Sequence, residues 1–301
     1  MIEDAFQRHR RPQFPTKAAL LLGTLKSQGK EATEPVAQNL ETLKQDPWHD
    51  AQRIGELVQG KQAWTVGVRR GAIIMIKSIK DTDTGKRLVS MLQPLSHPNI
   101  ARVLDVAEFD DQTHFTFEYY RYTLEEVLCV HLPFEEIHIR TIVQSIFPAI
   151  KHIANAGIIH NAIPCTSIRV CGRSGKIVLA DFEDCILQTT TLSPNIDLKL
   201  LGYTLLECME GSTNKQLRSE EYILRQREVN KIFGVKDDRW SGAKLLVDFL
   251  DDLFNQQRPA IAKLDKEHSY VRQQQLAPTV LLPFTELVPL ECFTLWRPAA
   301  K

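Results

Sequence analysis

No C-x-x-C pair occurs among the six cysteines, Cys129, Cys165, Cys171, Cys185, Cys208 and Cys292. Their neighbours are apolar or strand-forming, so they read as small buried thiols in a reducing compartment, not as zinc ligands or a dithiol redox motif. The nine histidines show no metal-ligand spacing. Net charge is also lacking, since 37 Lys and Arg balance 37 Asp and Glu. The chain has no global field to draw in nucleic acid or an anionic membrane, and no basic helix carries interleaved aromatics. No apolar run approaches the ~20 residues of a membrane span. Glu3 and Asp4 stand where a signal peptide would be basic. The expectation is an intracellular protein, cytoplasmic or nuclear, with no nucleic-acid and no membrane partner. A G-x-S-x-G nucleophile elbow and internal repeats are missing too.

What is present is ordinary for a globular protein. Of 301 residues, 43% are hydrophobic and 25% charged, enough for one large domain or two lobes. Residues 1–50 read as an extension, partly helical or flexible. Short helices are expected over 16–28 and over 35–45, where Val36, Leu40 and Leu43 recur at helical spacing. Five strands come next, over 54–60, 63–69, 72–79, 102–109 and 113–119, and suggest a small antiparallel sheet in meander order. Beyond them the apolar stripe changes to a helical period over 134–156, 195–211, 220–233 and 243–254, with a kink expected at Pro148. The tail 273–301 differs: three prolines among leucine, valine and phenylalanine argue against a single helix over 276–289. An extended strap packed on the body is favoured over an exposed docking segment.

Two loops carry the chemistry. Residues 158–168 read Ile-Ile-His-Asn-Ala-Ile-Pro-Cys-Thr-Ser-Ile, and Asp181-Phe182-Glu183 comes thirteen positions later. Their order and spacing resemble the catalytic and metal loops of the protein kinase superfamily, H-R-D-x-x-x-x-N and D-F-G. Ile74-Met75-Ile76-Lys77 looks like V-A-I-K, His97-Pro98-Asn99-Ile100 like the segment before the fourth strand, and Asp197–Gly202 like the start of the central large-lobe helix. The resemblance implies an α+β, bilobal fold over 51–272, with a sheet-rich N-lobe (51–120) and a larger helical C-lobe (121–272). It also implies roles by position. Lys77 is the phosphate-pairing lysine, Asp181 the metal-loop carboxylate, Gly60 and Val66 belong to the glycine loop, Phe117 is the gatekeeper, and Glu118 to Tyr120 form the hinge. His160 takes the family's structural histidine position.

The departures from the pattern weigh against phosphoryl transfer. Ala162 occupies the catalytic Asp position and cannot accept a proton, and Ser167 occupies the metal-binding Asn position. The glycine loop keeps one convincing glycine, and Trp64 is bulky where the family has nothing. No Glu is placed to pair with Lys77; the segment offers Lys86, Arg87 and Ser90 instead. Met75 and Arg169 fall above and below the expected adenine site. Glu183 replaces a glycine and with Asp181 would either help hold Mg²⁺ or repel phosphate. Only sixteen positions separate Asp181 from Asp197, with no A-P-E, so the peptide-binding segment is largely absent. The expected reading is a catalytically inactive pseudokinase that binds another protein as scaffold or allosteric partner. An atypical ATP-dependent Ser/Thr kinase and a nucleotide sensor without turnover stay open. ATP and Mg²⁺ are weak expectations, and Lys77 and Asp181 would otherwise pair across the cleft.

Overall fold

The computed structural model describes residues 40–59, 62–188, 196–229, 231–236, 238–254, 261–292 and 294–299. Gly60 and the expected helix over 16–28 lie outside these residues.

The small lobe is built on β1 (Thr42–Leu43), β2 (Gln52–Gln59), β3 (Gln62–Arg69), β4 (Ala72–Ile79), α1 (Thr82–Leu92), β5 (Val103–Phe109) and β6 (Gln112–Glu118). Dense β-branched residues make β4 the central strand, and Ile74, Met75 and Ile76 are all buried. Asp81 caps α1, its carboxylate accepting the Thr84 N–H at 2.9 Å. Because α1 intervenes, β4 pairs with β6, and β5 lies outside β6. The expected simple meander is corrected to that order. A second correction concerns 35–45: its described part holds β1, which pairs parallel to β5, not a helix.

The large lobe contains β7 (Tyr122–Thr123), α2 (Leu124–Leu128), α3 (Glu136–Asn155), β8 (Ile158–Ile159), β9 (Ile168–Val170), β10 (Ile177–Leu179), β11 (Ile186–Leu187), α4 (Ile196–Glu210), α5 (Glu220–Glu228), α6 (Lys244–Phe254), α7 (Ile261–Glu267) and α8 (Ser269–Arg272). The stripe Ile139, Ile142, Val143, Ile146, Ile150 and Ile153 puts α3 in the middle of the core. The helix is unbroken across Pro148, which costs it one bond to the Gln144 carbonyl. Mostly apolar α4 is buried as its composition predicts. Its Glu207 is fully buried and held by two hydrogen bonds from Arg218, at 2.6 and 2.7 Å. Helix α5 ends at Glu228, short of 233, where Phe233 takes a left-handed φ of 51°. None of the described helices is long and apolar enough to cross a membrane.

The stretch 276–289 is not one helix, since Pro278–Leu281 form a 3₁₀ turn, but it is not the extended strap expected either, because most of it is helical. Helix α9 (Leu282–Glu291) is a single helix inside the proline-bearing stretch, and strand β12 (Leu295–Pro298) comes after it. Pro283 sits in the first helical turn, where no N–H is required, and Pro289 falls in the last turn, so neither breaks the helix. Phe284 is buried edge-on against Phe134, with ring centroids 4.7 Å apart. Strand β12 then adds antiparallel to β2, giving a seven-stranded sheet ordered β1-β5-β6-β4-β3-β2-β12. Two of these strands come from outside 51–272. A Cβ on Gly55 would lie 2.5 Å from the Arg297 carbonyl oxygen and 2.6 Å from the Trp296 ring, so this crossing needs glycine.

Candidate functional site

The frame of the site is set by buried polar groups. The Asp197 carboxylate, at the start of α4, accepts the backbone N–H groups of His160 and Asn161, both at 2.8 Å. Those bonds hold the loop after β8 and fix Asn161 at a left-handed φ of 65°. His160 donates through Nε2 to the Ala180 carbonyl at 2.9 Å and packs on Phe182. Burial favours neutral imidazole at His160 and pushes its pKa down. His160 thus works as a strut between two loops.

On this frame no proton acceptor stands at 162, because Ala162 presents only a methyl group. Ser167 is buried in a 3₁₀ turn, its carbonyl accepting the Ala180 N–H at 2.8 Å.

Between the lobes the space is filled by the chain's own side chains. Trp64 on β3, 3% exposed, packs with Leu57, Val66 and Met75 and stands edge-on to Phe117 at 5.5 Å. Arg169 on β9 is 2% exposed and lays its guanidinium over Trp64, 4.7 Å from the ring centre. The same guanidinium donates to Gln59 Oε1. Gln59 in turn donates to Glu126 Oε2 at 2.7 Å and to the Arg121 carbonyl at 3.0 Å. Glu126 closes a capping box with Thr123 and accepts from Thr294 in the tail. One chain of contacts therefore runs from β9 through β2 to α2 and the strap.

The charges pair differently from expectation. Lys77 bonds Gln62 and forms an ion pair with Glu183 at 2.9 Å, over the face of Trp64. The described contacts of Asp181 are instead with Arg169, 3.8 Å from Nη2 to Oδ1. The anticipated Lys77–Asp181 pair is thus replaced by two pairs, because Arg169 brings a second cation to Asp181. Arg87 takes up the side of α1 where a glutamate was lacking, and donates to the carbonyls of Cys185 and Glu183 at 3.1 and 3.2 Å. Tyr120 turns behind the hinge against Ala101, Val178 and Ala180, its hydroxyl donating to Glu118 at 2.9 Å.

These side chains do not fit a nucleotide with its metal. Trp64 and Arg169 fill the space under Met75, and the cation beside Asp181 is a guanidinium. Glu183 is drawn to Lys77, and no cluster of three metal-ligating groups exists among the described residues. Neither Asp181 oxygen has a hydrogen-bond partner among the described residues. Burial pushes the Asp181 carboxyl up to about 6, against the opposing pull of Arg169. Between roughly pH 4 and pH 6 the folded chain therefore holds a proton that the unfolded chain releases, and stability falls as pH rises through that window, by about 3 kcal/mol. Urea unfolding of the wild type and of Asp181→Asn should show the difference between them changing by about that amount from pH 4 to pH 7. A constant difference would mean that Asp181 ionises freely.

Comparison with known proteins agrees with this frame. Residues 48–189 match the protein kinase domain family. That match spans just under half of the chain, so the likeness is to the kinase domain over this region. It is 28% identical over 151 residues to the CTD kinase subunit alpha of Schizosaccharomyces pombe, covering 48% of this chain and 25% of that protein. It is 29% identical over 139 residues to a probable serine/threonine-protein kinase of Dictyostelium discoideum, covering 43% and 27%. The chain thus spans about a quarter of the length of these relatives. The kinase fold explains why the two loops, the lysine strand and the hinge meet at one cleft. Gln59, Gln62, Glu126 and Thr294 were not anticipated there. Their polar side chains on otherwise apolar strands and caps were the only sign.

Proposed function

We propose that this kinase-like domain is catalytically inactive and acts as a scaffold or allosteric binding partner of another protein. The observation that carries this reading is the cleft itself, where Trp64 and the Arg169–Gln59–Glu126 chain fill the nucleotide position. Ala162 supports it, since a positioned general base contributes ~10²–10⁴ in rate and none stands at that position. The competing reading, an ATP-dependent Ser/Thr kinase, draws on the names of the relatives and on retained Lys77 and Asp181. It requires Arg169 and Trp64 to leave the cleft together.

The test is a thermal-shift titration with ATP, with and without Mg²⁺ or Mn²⁺. A ligand at 100 times its Kd stabilises a fold by about 2.7 kcal/mol, which is readily measured. No shift is expected at millimolar nucleotide. A metal-dependent shift, lost in Lys77→Ala and Asp181→Ala, would sink the proposal and favour an enzyme or a sensor.

A further inference from the structure

Two of the six cysteines meet where the strap crosses the large lobe. Cys129 caps the C-terminal end of α2 and is exposed; Cys292 caps α9 and is half-buried. Contacts on both sides bring them together. Before Cys292, the Glu291 carboxylate accepts the His131 N–H at 2.8 Å and lies 2.7 Å from His131 Nδ1. After it, Thr294 donates to Glu126, the third residue of the five-residue α2. The tail thus runs antiparallel to the end of α2, pairing 291 with 131 and 294 with 126, and this register sets 292 against 129. The thiols are near enough that Cys129 contributes, after burial, to pushing the Cys292 thiol up to about 12.

We propose that Cys129 and Cys292 form a peroxide-sensitive site whose disulfide fastens the strap to the C-terminal end of α2. Exposure makes Cys129 the thiol that meets oxidant first. Its thiolate attacks hydrogen peroxide, one oxygen passes to sulfur to give a sulfenic acid, and hydroxide leaves. The Cys292 sulfur then attacks the sulfenyl sulfur. The S–S bond forms, the S–O bond breaks, and the oxygen leaves as water with the Cys292 proton. Two thiols are oxidised and one peroxide is reduced to two waters. In a reducing compartment such a bond is transient, as redox-sensing disulfides are. Cys165 and Cys208 also neighbour each other, but both are buried and closed to oxidant.

The bond gains its effect from the strand next to it. Strand β12 begins only three residues beyond Cys292, and Thr294 joins the chain Glu126–Gln59–Arg169. A covalent anchor at 292 keeps that end of the strap in register with β2, whereas reduction leaves it held by hydrogen bonds and side-chain contacts.

The test treats the full chain with hydrogen peroxide and then maps its peptides under non-reducing conditions. Loss of two thiols, with one cross-linked peptide joining 129 to 292 and release by dithiothreitol, is expected. Cys292→Ser should instead leave Cys129 as a sulfenic acid that dimedone traps. Oxidised wild type should also lose its tail to limited proteolysis at least ~10-fold more slowly than reduced wild type. Over-oxidation of Cys129 with Cys292 still free, dimers linked through Cys129, or full retention of both thiols would each overturn the proposal. Equal tail cleavage before and after oxidation would overturn the fastening role.

Discussion

Arg169→Met is expected to lower the unfolding free energy by about 3–5 kcal/mol at pH 7, the range for removing one partner of a buried charged pair. Methionine keeps much of the length, so most of the loss is electrostatic. The separate contributions can be compared. Asp181 already sits at about 6 beside the guanidinium. Without it the carboxyl protonates, which caps its further cost at pH 7 near 1.4 kcal/mol, about one pH unit's worth. The remainder falls on Gln59 and Trp64. Gln59 Oε1 loses a charged donor in a buried position, worth about 1.5–3 kcal/mol. Trp64 loses a desolvated cation over its face, worth up to about 2 kcal/mol. Arg169→Met combined with Asp181→Asn should recover at least about 1 kcal/mol of the single variant's loss, because no carboxyl is then buried alone. Urea unfolding of the three chains gives these differences directly. A single-variant loss below about 1 kcal/mol would show that Arg169 does not tie the lobes.

The value of that variant lies in where Arg169 sits. Active members of the superfamily bring their lobes together around a nucleotide and metal. Here the cation that faces Asp181 comes from β9, and Gln59 and Glu126 extend it to the hinge and the strap. The closed arrangement is thus held by the chain itself. On the scaffold reading proposed above, a partner would meet a surface set by these contacts and not by nucleotide.

Much of the frame was legible from local pattern. The isoleucines of β4 and the period of α3 each specify an element without help from elsewhere, and the two loops specify how the elements meet. Arg169 and Trp64 were visible as residues of the wrong size and polarity for their positions. Their effect on charge pairing was not, because it depends on which cation reaches Asp181 first in three dimensions. Lys77 therefore turns to Glu183, a residue that by sequence looked like Asp181's companion. The tail was misjudged for a different reason. The stretch with Pro278 does stay out of α9, but Pro283 in a first turn costs nothing, so the rest is helical where an extended strap was expected. Strand β12 could not be seen at all, since its partner β2 lies at the opposite end of the chain and Leu295 to Pro298 form no strand without that edge.

Trp64→Ala should have an effect of similar size, for a packing reason. The ring is 3% exposed and touches a cluster closed by Leu57, Val66 and Met75. Truncating a buried aromatic to alanine costs about 3–5 kcal/mol, as lost transfer energy plus the cavity left behind. The indole itself moderates the loss: its Nε1–H has no hydrogen-bond partner among the described residues, so its removal also relieves an unsatisfied donor. The loss should therefore fall toward the lower end, about 3 kcal/mol. The same variant separates two explanations of inactivity. It removes the largest side chain from the nucleotide position while leaving Ala162 and Arg169 as they are. If the missing base decides, Trp64→Ala shows no phosphoryl transfer from labelled ATP above wild type, whatever happens to its stability. If transfer appears, obstruction by Trp64 is what silences the wild-type domain, and the missing base at 162 does not decide. A stability loss under about 1 kcal/mol would show instead that the ring leaves the cleft readily and that the filled state is one of several.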